Sequence, residues 1–230
     1  MNMKTLIWAV LFCTGGLWGT SAFATPLDST SFYLDTPNTA VSPYPGPYVQ
    51  VTVDRTATNT ATVTFTGLTY SNSYVYLMSG NPAAAVNVNA TSWAVSSISA
   101  TNSNSGFSPG AYVDGGAKSG VGGFGDFNQG IDAGTPNGYT GSVDLISFQL
   151  TNSSGSWLSA GDVLKANSDG YFAVAHIYVA AYPASPTADA LATGFSVGGG
   201  EGVPEPGSVA LLGLGLVGLG LVRRRIRPTT

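Results

Sequence analysis

The chain has 230 residues, of which 43% are hydrophobic and only 9% are charged, and its formal net charge is −4. Five of its eight basic residues lie close to the two ends, so the stretch from Thr25 to Pro206 carries three basic residues against 12 acidic ones. This central stretch, with a formal charge near −9, has no basic patch that could neutralise phosphates, which excludes nucleic acid as a partner.

Residues 1–24 have the pattern of a secretory signal peptide. Lys4 supplies a positive start, residues 6–17 form an apolar run, and Ala22 and Ala24 flank Phe23 as the small residues of a signal peptidase site. We expect cleavage after Ala24. The only cysteine of the chain lies within this leader, which excludes disulfides and thiolate metal sites from the exported part.

Residues 25–200 are predicted to form one all-β domain, an antiparallel β-sandwich or jelly roll, because short strands alternate with turn residues and no βαβ rhythm is present. Alternating polar and apolar residues predict a hairpin of strands at 47–54 and 60–66. Further strands are predicted at 74–78, 85–89, 92–98, 142–150 and 171–181. One short helix is expected near 159–166, where Ser159 and Asp162 have the spacing of a capping box.

The segment 114–144 is dense in glycine, which predicts a long structural loop. Asp126, Asn128 and Asp132 offer oxygen ligands on this loop, so a calcium site is the alternative. Gly130 occupies a ligand position of the helix-loop-helix calcium pattern, Ile131 stands where that pattern needs glycine, and no glutamate closes the loop. We therefore expect no cofactor, and calcium bound by these residues is the alternative.

Aromatic residues are numerous enough to form a sugar-stacking surface. Tyr74 and Tyr76 share one face of a predicted strand and are the best candidates for an exposed pair, while Trp93 and Trp157 are expected to fill the core. His176, the only histidine, lies within an apolar strand. We expect it to be packed in place, since one histidine without cysteines nearly excludes zinc chemistry.

The last residues carry three features in order. Pro204, Glu205 and Pro206 form a triplet whose prolines keep the backbone extended. Residues 209–222 contain only Val, Ala, Leu and Gly and span about 21 Å as a helix, which is short for a bilayer core of about 30 Å. An arginine cluster follows and is expected to remain in the cytoplasm, which places the preceding chain in the periplasm. The cluster comprises Arg223, Arg224, Arg225 and Arg227.

This order resembles the PEP-CTERM sorting signal that exosortases read in Gram-negative bacteria. The resemblance implies that residues 201–230 are a sorting tail, held transiently in the inner membrane and cut near the Pro-Glu-Pro triplet. Release to the cell surface or extracellular matrix would follow; the alternative is a permanent single-pass anchor. The body is also similar to a group of exosortase-sorted extracellular proteins at residues 123–128, 146–152, 164–167 and 175–177. That similarity implies co-production with exopolysaccharide and a place in biofilm or floc.

The body is not expected to be an enzyme. Residues 106–110 match the hydrolase pattern G-x-S-x-G, but Pro109 follows the serine and has no N–H to donate to an oxyanion. Glycoside hydrolysis would need two of its aspartates to meet in space, and the body contains no recognisable catalytic segment for that reaction. We therefore expect a structural or adhesive matrix protein; the alternatives are a carbohydrate-binding module and, less favoured, a polysaccharide-acting enzyme.

Overall fold

The computed structural model describes residues 25–199 and shows an all-β fold. The strands are β1 (Asp28–Pro37), β2 (Val49–Ala57), β3 (Thr60–Gly67), β4 (Thr69–Tyr70), β5 (Tyr74–Met78), β6 (Ala84–Val86), β7 (Trp93–Thr101), β8 (Tyr112–Lys118), β9 (Phe127–Ala133), β10 (Leu145–Asn152), β11 (Ala173–Ala181) and β12 (Ala192–Gly198). Three 3₁₀ turns lie at Val121–Gly123, Tyr139–Gly141 and Ala160–Asp162. Residues 25–199 contain no α-helix.

All strand pairs are antiparallel, and they join into one continuous sheet. Its hydrogen-bonded order is β7-β10-β3-β2-β1-β12-β11-β6-β9-β8, with β5 also pairing with β11 and β4 with β5. The sheet curls so that strands near its two ends come into contact. Trp93 Nε1 on β7, near one end of this order, donates to Gln129 Oε1 on β9, near the other end, at 3.0 Å. The prediction of an antiparallel all-β fold is confirmed.

The predicted hairpin is present as β2 and β3. Val51 pairs with Phe65 and Val53 with Val63, and all four side chains are buried. Their neighbours along each strand are polar and only partly buried, as the period-2 alternation requires. On the other side of β3, Ile146 and Phe148 of β10 extend the same buried layer.

The core lies inside the curl and draws on both halves of the sheet. Phe65 and Phe148 stack with ring centroids 6.3 Å apart. Met78 from β5 and Ile177 from β11 belong to the same buried cluster. Since β3 and β11 are far apart in the sheet order, their shared core is what holds the curled sheet together.

The glycine-rich segment is not a loop throughout, and that prediction is wrong. Strands β8 and β9 form a hairpin within it, and the ion pair Lys118–Asp132 (2.7 Å) lies across the hairpin. A Cβ on Gly115 would stand 2.5 Å from the Asp132 carboxyl group, and one on Gly130 would stand 2.6 Å from Lys118 Cε. Glycine therefore makes room for the ion pair between the strands.

The predicted helix near 159–166 is reduced to the 3₁₀ turn Ala160–Asp162. The expected capping contact exists, since the Ser159 N–H donates to Asp162 Oδ2 at 2.9 Å. None of the helical turns in residues 25–199 is long and apolar enough to cross a membrane. The apolar run 209–222 lies outside the described residues.

Candidate functional sites

The prediction that Tyr74 and Tyr76 form an exposed pair is wrong. Tyr76 has no exposed surface, its hydroxyl donates to the Pro45 carbonyl, and its ring packs edge-to-face on Tyr48 at 5.0 Å. Burial raises the pKa of Tyr76. Tyr74 is partly buried and packs against Tyr44 at 5.2 Å. Both faces of β5 are covered. Neither face of this strand can therefore present side chains to a ligand in solvent.

The three proposed calcium ligands each have other partners. Asn128 holds the backbone of Val88 with both of its side-chain atoms, at 2.7 and 3.0 Å. Asp132 is paired with Lys118, and Asp126 accepts a backbone N–H at 2.8 Å. Within residues 25–199 no three His, Cys, Asp or Glu side chains are grouped as a metal site. All three side chains therefore already bind other groups of the fold.

His176 is packed in place on β11. Its ring stacks on Phe195 with centroids 4.4 Å apart and planes at 11°, and its Nε2 lies 2.9 Å from Thr193 Oγ1. A Cβ on Gly80 would stand 2.3 Å from His176 Nδ1, so the backbone closes over the other nitrogen. Burial lowers the pKa of His176, which keeps the ring neutral.

We expect this burial to make stability depend on pH. The unfolded chain binds a proton at His176 near its ordinary pKa of about 6.5, whereas the folded chain resists it. The free energy of unfolding should therefore fall as pH drops below about 6.5, down to the lowered folded-state pKa. Melting temperatures between pH 7.5 and 5 measure this effect. His176→Gln removes the titrating group and should flatten the curve; parallel curves for the two proteins would contradict the assignment.

A polar cleft of about 460 Å³ opens between the β6–β7 loop, the loop after β10 and the 3₁₀ turn at 160–162. Trp157 belongs to its lining and is 3% exposed, which confirms its prediction as a core residue. Leu158 lies at its rim and is 89% exposed. Its polar lining includes Asn89, Thr91, Asn152, Ser156, Asp162 and Lys165.

Hydrogen bonds fix the walls of this cleft to one another. Trp157 Nε1 donates to the Asn89 carbonyl at 2.8 Å, and Asn89 Nδ2 donates to the Asp162 carbonyl at 2.9 Å. Arg55 also holds the loop after β10, because its Nη1 donates to the Trp157 carbonyl at 3.3 Å. Arg55 Nε is itself paired with Asp28 at 2.7 Å. The cleft is therefore preformed by contacts within the protein.

Sequence reasoning missed this cleft. Its walls come from residues 89–91, 152–158 and 162–165. These segments are far apart in the sequence and share no motif. The turn residues at 152–156 and the capping spacing of Ser159 and Asp162 indicate local structure, and neither pattern indicates a cleft.

The residues of the predicted processing sites lie outside the described part of the chain. They are Ala22 and Ala24 in the leader, the triplet Pro204, Glu205 and Pro206, and the arginines Arg223, Arg224, Arg225 and Arg227. The described fold ends just after β12, whose last residue, Gly198, is paired with both β1 and β11. The tail therefore leaves from a strand in the interior of the sheet.

Residues 202–225 match the family model of the PEP-CTERM protein-sorting motif, which confirms the resemblance seen in the sequence. This motif marks a chain for export, sorting to the cell surface and processing by an exosortase. No curated protein and no solved structure matches the chain.

Proposed function

Because the chain carries the sorting motif, we propose that it is a structural or adhesive protein of the cell surface and extracellular matrix, associated with exopolysaccharide in biofilm or floc. The observation that carries the proposal is the motif itself, placed directly behind a packed, acidic β domain. A signal peptidase removes the leader. The tail then holds the chain in the inner membrane of a Gram-negative cell until the exosortase cuts it near the Pro-Glu-Pro triplet.

The exterior of the domain supports this proposal. Thr62, Thr64 and Thr66 alternate with buried residues along β3, and Thr64 Oγ1 lies 3.2 Å from the hydroxyl of Ser147 on β10. These hydroxyl side chains are partly exposed, so they offer hydrogen-bonding groups without charge. The two halves of the curled sheet also pack across one core, which supports a sandwich or jelly-roll arrangement.

We propose no catalytic activity for the body. The only histidine is stacked and hydrogen-bonded. The cleft beside Trp157 has one carboxylate, Asp162, and a second cleft at the start of β10 also has one, Asp144. Glycoside hydrolysis usually needs two carboxyl groups flanking one bond, and neither cleft supplies the pair.

The cleft beside Trp157 favours carbohydrate binding as the second candidate function.

The association with exopolysaccharide is tested by comparing wild-type producing cells with cells that cannot synthesise the polymer. We expect the processed protein to remain with the matrix in the wild type and to appear in the medium when the polymer is missing. Equal retention in the two strains would contradict an exopolysaccharide-associated role.

A further inference from the structure

We propose that the cleft beside Trp157 is a binding site for a neutral saccharide. The inference rests on the proposed function, because it names the ligand class of a matrix-associated domain. It replaces the excluded pair on β5 with a site that has an open side. A cleft of about 460 Å³ lies within the range of about 300–1,000 Å³ that is typical of small-molecule sites.

The first step concerns rigidity. The Trp157 indole joins two walls of the cleft through its 2.8 Å bond to the Asn89 carbonyl. Asn152 Oδ1 accepts from the N–H of Ser154 at 3.0 Å, and Ser154 Oγ accepts from the N–H of Ser92 at 3.2 Å. Walls that are already ordered need little further loss of conformational freedom when a ligand binds.

The second step concerns the groups that remain available. The side chains of Thr91, Ser156 and Lys165 line the cleft and make no hydrogen bond within residues 25–199. They supply hydroxyl and ammonium groups for a ligand with many hydroxyls. Leu158, 89% exposed at the rim, supplies an apolar surface for the C–H face of a sugar ring. Polar groups that fix orientation beside an apolar wall are typical of small-molecule sites.

The third step concerns charge. Among the basic residues of the described chain, Arg55 and Lys118 each have an aspartate partner at 2.7 Å. Lys165 makes no ion pair within residues 25–199 and lies in the cleft lining with Asp162. The cleft therefore carries one positive and one negative group, whereas the whole body has a formal charge near −9. A uronic acid polymer would be repelled by the body, and the balanced lining favours an uncharged sugar.

The test uses the full chain in a zwitterionic detergent without a sugar headgroup. Calorimetric titration with neutral glucose hexasaccharides, linked α-1,4 or β-1,4, is compared with titration with uronate and amino-sugar oligomers. We expect saturable binding of a neutral hexasaccharide. Leu158→Ser should weaken it about fivefold or more, because an apolar contact is lost. Leu191→Ser is the matched control, since Leu191 is 48% exposed and lies outside the cleft lining, and it should bind as the wild type does.

The proposal is overturned if the wild-type protein shows no saturable binding of any neutral oligomer. It is also overturned if the protein binds a charged oligomer more tightly than a neutral one. Equal affinity of the two leucine variants would also overturn the location. These results are separate from the proposed function. A protein that stays in the matrix without binding a neutral sugar leaves that function standing, whereas a sugar-binding protein absent from the matrix refutes the function alone.

Discussion

Phe65→Ala is expected to lower the free energy of unfolding by about 3–5 kcal/mol. Phe65 has no exposed surface, pairs with Val51 on β2 and Ile146 on β10, and stacks on Phe148. Removal of this ring leaves a cavity between three central strands, which the rigid strand register prevents from closing. Urea denaturation of the exported protein, monitored by tryptophan fluorescence, measures the change as a shift of the urea concentration at the unfolding midpoint.

Two further variants serve as comparisons for Phe65→Ala. Phe65→Leu keeps most of the apolar volume and should lose clearly less stability, so it yields a measurable value even if Phe65→Ala does not fold. Leu158→Ala truncates an apolar side chain that is 89% exposed, and it should change the free energy of unfolding by about 0.5 kcal/mol or less. If Phe65→Ala were as mild as Leu158→Ala, the core assigned to β3 would be incorrect.

Replacement of Pro204, Glu205 and Pro206 by alanine is expected to stop processing. The prolines keep the backbone extended and accessible in front of the apolar run, whereas alanine is the strongest helix former. Alanine in the triplet would favour helical backbone in front of the apolar run. We expect the protein to accumulate at full length in the inner membrane, as seen by immunoblotting of separated membranes and medium.

The control for the tail variant replaces Thr229 and Thr230 by alanine, because these residues lie beyond the matched motif. This protein should be processed as the wild type is. If the triplet variant were still cut and released at the wild-type rate, recognition would not depend on the Pro-Glu-Pro backbone.

Sequence periodicity predicted the strands that are buried on one face. The β2–β3 hairpin shows this, since its valines alternate with polar residues and its register places Val51 beside Phe65. Periodicity also predicted the strand at 74–78, which is β5, but it failed to identify which faces of this strand are covered, because both are. It failed again for β8 and β9, because glycines that accommodate the Lys118–Asp132 pair resemble the glycines of a loop.

The candidate site was beyond the reach of a sequence pattern. Trp157 was correctly expected in the core, but its indole bond to Asn89 joins residues 68 positions apart, and nothing local indicates that contact. The sorting tail is the opposite case. Its function depends on a short contiguous order of residue types, so the motif could be identified without any tertiary structure.

Fractionation of the producing cell, with mass spectrometry of the protein's C-terminus in each fraction, is the decisive experiment for exosortase processing. We predict an extracellular form that begins at Thr25 and ends near Glu205, without the arginine cluster. A full-length form confined to the inner membrane, with Arg223 to Arg227 still present, would contradict exosortase processing and make the chain a permanently anchored, periplasm-facing domain.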